Sequence, residues 1–206
     1  MNEKAGHFGC CASGYPTGIY FLFATDWLLL PLLVVGGLCI LLYTPFILKR
    51  NWPEWSPGVG LGALPVLGAY FVQTNEYNWP IVIASIPSGI LVHNLLFLNE
   101  FPDVEADITA HRKTLPITIG KGRASIIYSA LMVIMYLWII GWVIAGEMPI
   151  YSLVSLLTLP FGVKAVLGAH QYEDMNRLMS AMASNVIVVL LTQLLLGIGY
   201  ILAAVL

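Results

Sequence analysis

Six apolar stretches, near 27–48, 57–73, 79–98, 123–145, 149–168 and 179–205, divide this chain into segments long enough to cross a bilayer, and only short polar clusters separate them. A hydrocarbon core of about 30 Å takes roughly 20 residues of helix, which each main stretch supplies. Ahead of them, residues 14–25 are apolar but short and run into Asp26 and Trp27, so a partial N-terminal helix is predicted there. The expectation is an all-α, polytopic transmembrane helical bundle of about six full spans plus the partial one, forming a single domain over 1–206. Composition agrees: 59% of the residues are hydrophobic and 10% charged, too few polar groups to coat a water-soluble globule. Lipid must then be the solvent for most of the surface.

Simple alternation of these spans puts Lys4, Lys49, Arg50, Arg112, Lys113, Lys121, Arg123, Lys164 and Arg177 on one side, which is all 9 of the Lys and Arg. The opposite connections hold Asp26, Glu76 and Glu147 and no base. Cytoplasmic connections carry the basic excess, so the basic side is expected to face the cytoplasm, with the plasma membrane as the bilayer. A net charge of −2 argues against a nucleic-acid partner. The N-terminus has no small-residue cleavage pattern behind a compact apolar core and does not read as a signal peptide. Three cysteines make no paired framework. Cys10 and Cys11 read as inert or as juxtamembrane acylation sites, and Cys39 as a small apolar residue inside a span.

Chemistry concentrates between Leu98 and Arg123, in a segment read as a cytoplasmic loop, NEFPDVEADITAHRKTLPITIGKGR. Asp103 and Asp107 are four apart and share one face of a helix, within reach of a common ion. Such oxygen ligands suit Mg²⁺, which takes one or two carboxylates together with waters and phosphate oxygens. Glu100 and Glu105 add charge, Asn99 offers an amide oxygen, and Arg112, Lys113, Lys121 and Arg123 can hold phosphate. From spacing alone the segment reads equally as a charged surface loop whose acids and bases pair with each other. His93, His111 and His170 have no metal-ligand spacing and read as surface or packing residues. Asn94, Gln73, Asn185 and Gln193 are polar groups within spans, expected to face the bundle interior and bond between helices. Pro65, Pro87 and Pro160 lie in or at the ends of spans, where a kink can open an interior cavity. In the 170–177 connection, Glu173 and Asp174 are expected in a solvated loop.

Residues Asn99, Asp103, Asp107, Arg112-Lys113-Thr114-Leu115 and Ile119-Gly120 together resemble the second aspartate-rich motif of the UbiA superfamily of intramembrane prenyltransferases. The stretches LLYTPF at 41–46, GALPVLGAYFVQ at 62–73 and SIPSGILVHNLLFLNE at 85–100 are similar to its dihydroxynaphthoate, or menaquinone-pathway, branch. Pro102, Ala106 and Glu100 depart from that branch, which often has Arg, Gly and Asn or Asp there. Members of the family have about nine spans and a first aspartate-rich motif between the second and third. Nothing before residue 26 resembles that motif, so the chain is expected to begin inside the third span; a truncated gene model, a split enzyme completed by a missing N-terminal half, or a degenerate relative would each explain it.

The resemblance implies a Mg²⁺-dependent transfer of a polyprenyl group from a prenyl diphosphate to an aromatic acceptor, a quinone precursor such as dihydroxynaphthoate. It implies Asp103, Asp107 and Glu100 as metal ligands, Asp103, Asp107 and Tyr43 as catalytic residues, and Asn94, Asn99, Arg112, Lys113 and Lys121 as substrate-binding residues. Tyr43 reads equally as an interfacial tyrosine. A catalytically incomplete fragment or a non-catalytic membrane subunit is the alternative. A transporter would place ionisable residues at bilayer depth, and these spans are nearly free of them.

Overall fold

A computed structural model of the protein describes residues 17–206, and the described residues form helices and turns with no strand. Lys4, Cys10 and Cys11 lie outside the described residues. We number the helices α1 (17–24), α2 (Trp27–Leu41), α3 (Trp55–Thr74), α4 (Trp79–Thr109), α5 (Leu115–Ile119), α6 (Lys121–Ile144), α7 (Ile150–Ala169) and α8 (Met175–Val205). Five of them, α3, α4, α6, α7 and α8, are long and apolar enough to cross a membrane.

The expected first span, 27–48, is shorter than its apolar sequence. Asp26 starts it by accepting a hydrogen bond from the Leu28 N–H at 2.8 Å, but the helix ends at Leu41, and residues 42–50 run on as turns. Pro45 explains the stop. Its ring would meet the Leu41 carbonyl in a continued helix, and it pushes Thr44 away from helical torsions. At about 1.5 Å per residue, α2 rises about 22 Å and falls short of the hydrocarbon core.

Helix α3 contains a π stretch, Gly58–Ala63, just ahead of Pro65. The wider turn accommodates a proline ring that a regular helix would press against the carbonyl four residues back. Here α3 lies almost backbone to backbone on α4: a Cβ on Gly62 would sit 2.6 Å from the Ser88 carbonyl oxygen, and one on Gly58 2.9 Å from that of Gly89. Only glycine permits this approach. The helix closes at Asn75, in the left-handed conformation with φ 54°.

Helix α4 is the axis of the bundle. The Asn78 side chain caps it by accepting from the Ile81 N–H, Pro80 fills its first turn, and it runs 31 residues to Thr109 through Pro87 and Pro102. The acidic segment is therefore helical, against the expectation of a loop after Leu98. Each internal proline removes one rung of the helical ladder, and packing on both sides carries the helix through.

A few residues inside the charged end, α4, α6 and α8 meet in a closed polar triangle. The Tyr128 hydroxyl donates to Asn185 Oδ1 at 2.9 Å, Asn185 Nδ2 to the Asn94 carbonyl at 3.2 Å, and Asn94 Nδ2 to the Tyr128 carbonyl at 3.3 Å. Phe97, Phe101, Met132, Met135 and Leu178 belong to the same buried core as Tyr128. Ser88 likewise donates to Gln193 across α4 and α8. The interior roles expected of Asn94, Asn185 and Gln193 hold. Gln73 is instead exposed, donating to the Ala69 carbonyl one turn back on its own helix.

Candidate functional site at the charged end of the bundle

The end of α4, the turn 110–114 and the segment 42–54 are fastened together by backbone as well as side chains. The Lys113 N–H donates to the Leu48 carbonyl at 3.1 Å, and the Leu115 N–H to Glu54 Oε1 at 2.8 Å. The Arg112 N–H reaches back to the Asp107 carbonyl at 2.9 Å. His111 bends the chain between them in the left-handed conformation, φ 56°. The turn thus folds Arg112 onto the helix it has just left, and its guanidinium Nη1 lies 3.1 Å from Asp107 Oδ1.

Asp107 is buried, whereas Asp103, one turn earlier on the same face, is exposed. The Arg112 side chain remains 51% exposed, leaving part of its guanidinium free to meet a second anion. Asn99, Lys113 and Arg123 are exposed and Lys121 half-buried, all at this end. Asn94, expected to bind substrate, is fully buried and bonded within the three-helix triangle, so the structure assigns it to packing.

Glu54, which no sequence motif marks, is the least exposed acid among the described residues, with no accessible surface. One of its oxygens accepts from Leu115; the other, Oε2, is buried without a partner, as is Glu100 Oε2. Glu100 lies just beyond the apolar part of α4, which ends at Leu98. Burial, and then the Glu54 carboxylate beside it, push the Glu100 carboxyl far above the ordinary range, so Glu100 holds a proton that the pair can share. The signal that could have found Glu54 is an acid set among tryptophans in NWPEWSPG, where the chain otherwise enters an apolar span.

Tyr43 lies in the turns after α2, half-buried. Burial first, then Glu100 and Glu54, raise its pKa, with Arg112 acting the other way and Asp107 adding a smaller push. Its hydroxyl therefore stays protonated. Five residues from three segments, Tyr43, Glu54, Glu100, Asp107 and Arg112, therefore sense one another electrostatically. Behind them, Trp52 Nε1 donates to His93 Nε2 at 3.1 Å, which puts the His93 proton on Nδ1 facing Asn94 Oδ1 at 3.4 Å. His93 is a packing residue, as expected from its spacing.

Among the described residues, no three His, Cys, Asp or Glu side chains stand close enough together to form a metal site by themselves. The donor chemistry nonetheless fits Mg²⁺: hard carboxylate oxygens, two of them a turn apart on one helix face, beside a half-free guanidinium for a phosphate.

The family model described as the UbiA prenyltransferase family matches residues 8–191. This chain belongs to the UbiA prenyltransferase family. Within it, the chain is 32% identical over 177 residues to the 1,4-dihydroxy-2-naphthoate octaprenyltransferase of Bacillus subtilis (strain 168), covering 82% of this chain and 55% of that protein. It is 28% identical over 156 residues to the 2-carboxy-1,4-naphthoquinone phytyltransferase of Synechocystis, covering 73% of this chain and 50% of that protein. The 1,4-dihydroxy-2-naphthoate octaprenyltransferase of Mycobacterium tuberculosis is 25% identical over 151 residues, covering 70% of this chain and 49% of that protein. The chain spans about half the length of the curated relatives it matches. No solved structure matches it. Family membership and the all-helical membrane architecture expected of the UbiA fold are both borne out.

Proposed function

We propose that this chain carries the second aspartate-rich half of a prenyltransferase site, which moves a polyprenyl group from a prenyl diphosphate to an aromatic acceptor, a quinone precursor such as dihydroxynaphthoate. The observation that supports it best is the Asp103, Asp107 and Arg112 arrangement at the end of a membrane-length helix, in a chain whose relatives are named for prenylating naphthoate and naphthoquinone rings. The basic residues at this end favour the cytoplasmic face of the plasma membrane. The first aspartate-rich motif would come from an N-terminal half.

Asp103 and Asp107 would hold Mg²⁺, with Glu100 contributing a further carboxyl oxygen. Bound there, the ion would neutralise negative charge on the departing diphosphate. Arg112 and Lys113 meet phosphate oxygens from the adjoining turn, and Lys121 does so from the start of α6. Asn99 offers its amide one turn before Asp103. As the allylic C–O bond breaks, its electron pair leaves with the diphosphate, and these cations stabilise that growing charge. A ring carbon of the acceptor supplies the pair for the new C–C bond. The ring then regains aromaticity by losing what that carbon carried, a proton or a carboxylate as carbon dioxide. Tyr43, held protonated, can donate to a diphosphate oxygen or present its ring to the allylic cation. The apolar prenyl tail would lie along the helices in lipid.

The test is Mg²⁺-dependent binding of a labelled polyprenyl diphosphate to the chain purified in detergent. Binding that disappears in Asp103→Ala supports the assignment; equal binding by the wild type and this variant removes it.

A further inference from the structure

Glu54 combines three properties that an ordinary helix cap does not need: complete burial, a partner 61 residues away in sequence, and a second oxygen buried with no hydrogen-bond partner. The first N–H groups of a helix lack internal acceptors, and a local Ser, Thr, Asp or Asn usually serves them. Thr114 occupies that position before α5, in an extended conformation suited to the task, yet its side chain makes no cap hydrogen bond and its hydroxyl is buried without a partner. Glu54 takes over the capping from a different segment of the fold.

We propose, resting on the prenyl diphosphate site read above, that Glu54 is a positioning residue: by accepting from the Leu115 N–H it fixes the turn that presents Arg112 and Lys113 to the diphosphate. Two anchors on that turn come from 42–54, the Lys113 N–H on the Leu48 carbonyl and the Leu115 N–H on Glu54. The third, Arg112 on Asp107, comes from α4. Without Glu54, the C-terminal end of the turn is tied only by a short helix of one and a half turns. Arg112 and Lys113 then search a wider range of positions, and the preorganisation that phosphate binding gains from them is lost. Burying a carboxylate in the bundle is costly unless its oxygens are used, and the bond from the Leu115 N–H is the use that the geometry shows.

The positioning role needs an acceptor oxygen and not a negative charge, which separates it from a direct role in holding a cation. Full-length chain in detergent carrying Glu54→Ala is expected to bind labelled prenyl diphosphate, in the presence of Mg²⁺, on the order of ten-fold more weakly than the wild type. Glu54→Gln keeps an oxygen facing Leu115 and is expected to stay within about three-fold of the wild type. Leu115→Pro removes the donor instead. It is compatible with the first helical position and with the extended Thr114, so it keeps the test open if Glu54→Ala does not fold. Its binding should fall as in Glu54→Ala, with faster amide exchange over 110–119. Unchanged binding in Glu54→Ala and Leu115→Pro would overturn the positioning role. A Gln variant as weak as the Ala variant would overturn it too, because the charge itself would then be the requirement. Failure of the wild type to bind removes the diphosphate site, and the positioning role with it.

Discussion

The middle of the bundle and its charged end solve the problem of buried polarity in opposite ways. In the Asn94, Tyr128 and Asn185 triangle each side chain is engaged by another helix, and His93 and Trp52 extend the network outward. At the charged end, Glu54 Oε2, Glu100 Oε2 and Thr114 Oγ1 are buried with no partner, three of the five such side-chain atoms among the described residues. A satisfied network rigidifies a fold, whereas buried polar atoms left unmatched beside a half-exposed arginine are unusual and call for a partner. The contrast teaches that burial of polar groups marks architecture in one place and, on the site proposed above, recognition in the other.

Substitutions can break this contrast from either side. The largest effect is expected from Asp107→Ala, which removes a carboxylate and frees Arg112: Mg²⁺-dependent prenyl diphosphate binding should fall by two orders of magnitude or more, on the order of 3 kcal/mol, while the melting temperature in detergent changes little. Comparable losses of binding and melting temperature would mean that the pair is structural. Gly62→Ala comes next. Its new Cβ meets the Ser88 carbonyl at 2.6 Å, and forcing α3 off α4 should cost about 1–3 kcal/mol, read as a lower melting temperature. Asn185→Ala strands the Tyr128 hydroxyl in the interior and should cost about 1–2 kcal/mol with binding preserved; lost binding at native stability would blur the distinction between the two regions. The smallest effect is expected from Glu100→Gln. A carboxyl that already carries a proton is close in shape and charge to an amide, so binding should stay within about three-fold and stability within about 0.5 kcal/mol. A loss as large as that of Asp107→Ala would instead show that Glu100 acts as a charged ligand.

The crossing helices were legible because their apolar runs are long, and the interior amides because a polar group inside such a run has few places to go. The acidic segment was legible in its spacing but not in its shape: Pro102 and a dense run of charges look like a loop, and only packing against the bundle carries α4 on to Thr109. The end of α2 was written in Pro45 but hidden by the apolar residues continuing past it. Glu54 was illegible for a different reason. Its partners, Glu100 and Leu115, are distant in sequence, and no periodicity links an acid in one connection to an N–H in another.

Helix α4 joins the two regions in one continuous rod of about 46 Å at 1.5 Å per residue, and the closed triangle clamps that rod at Asn94, about 6 Å before its apolar part ends. From Leu98 to Asp103 and Asp107 it climbs about 8 to 14 Å, from the edge of the oily layer into the headgroups. The height of the carboxylates is therefore set by where the apolar part of α4 ends and by the clamp just before it. A membrane a few ångströms thicker would draw them toward the acyl chains unless the rod leaned or the lipids thinned around it. Bilayer thickness thus becomes a parameter of the chemistry, and lipids of different chain length are a way to tune it without altering a residue.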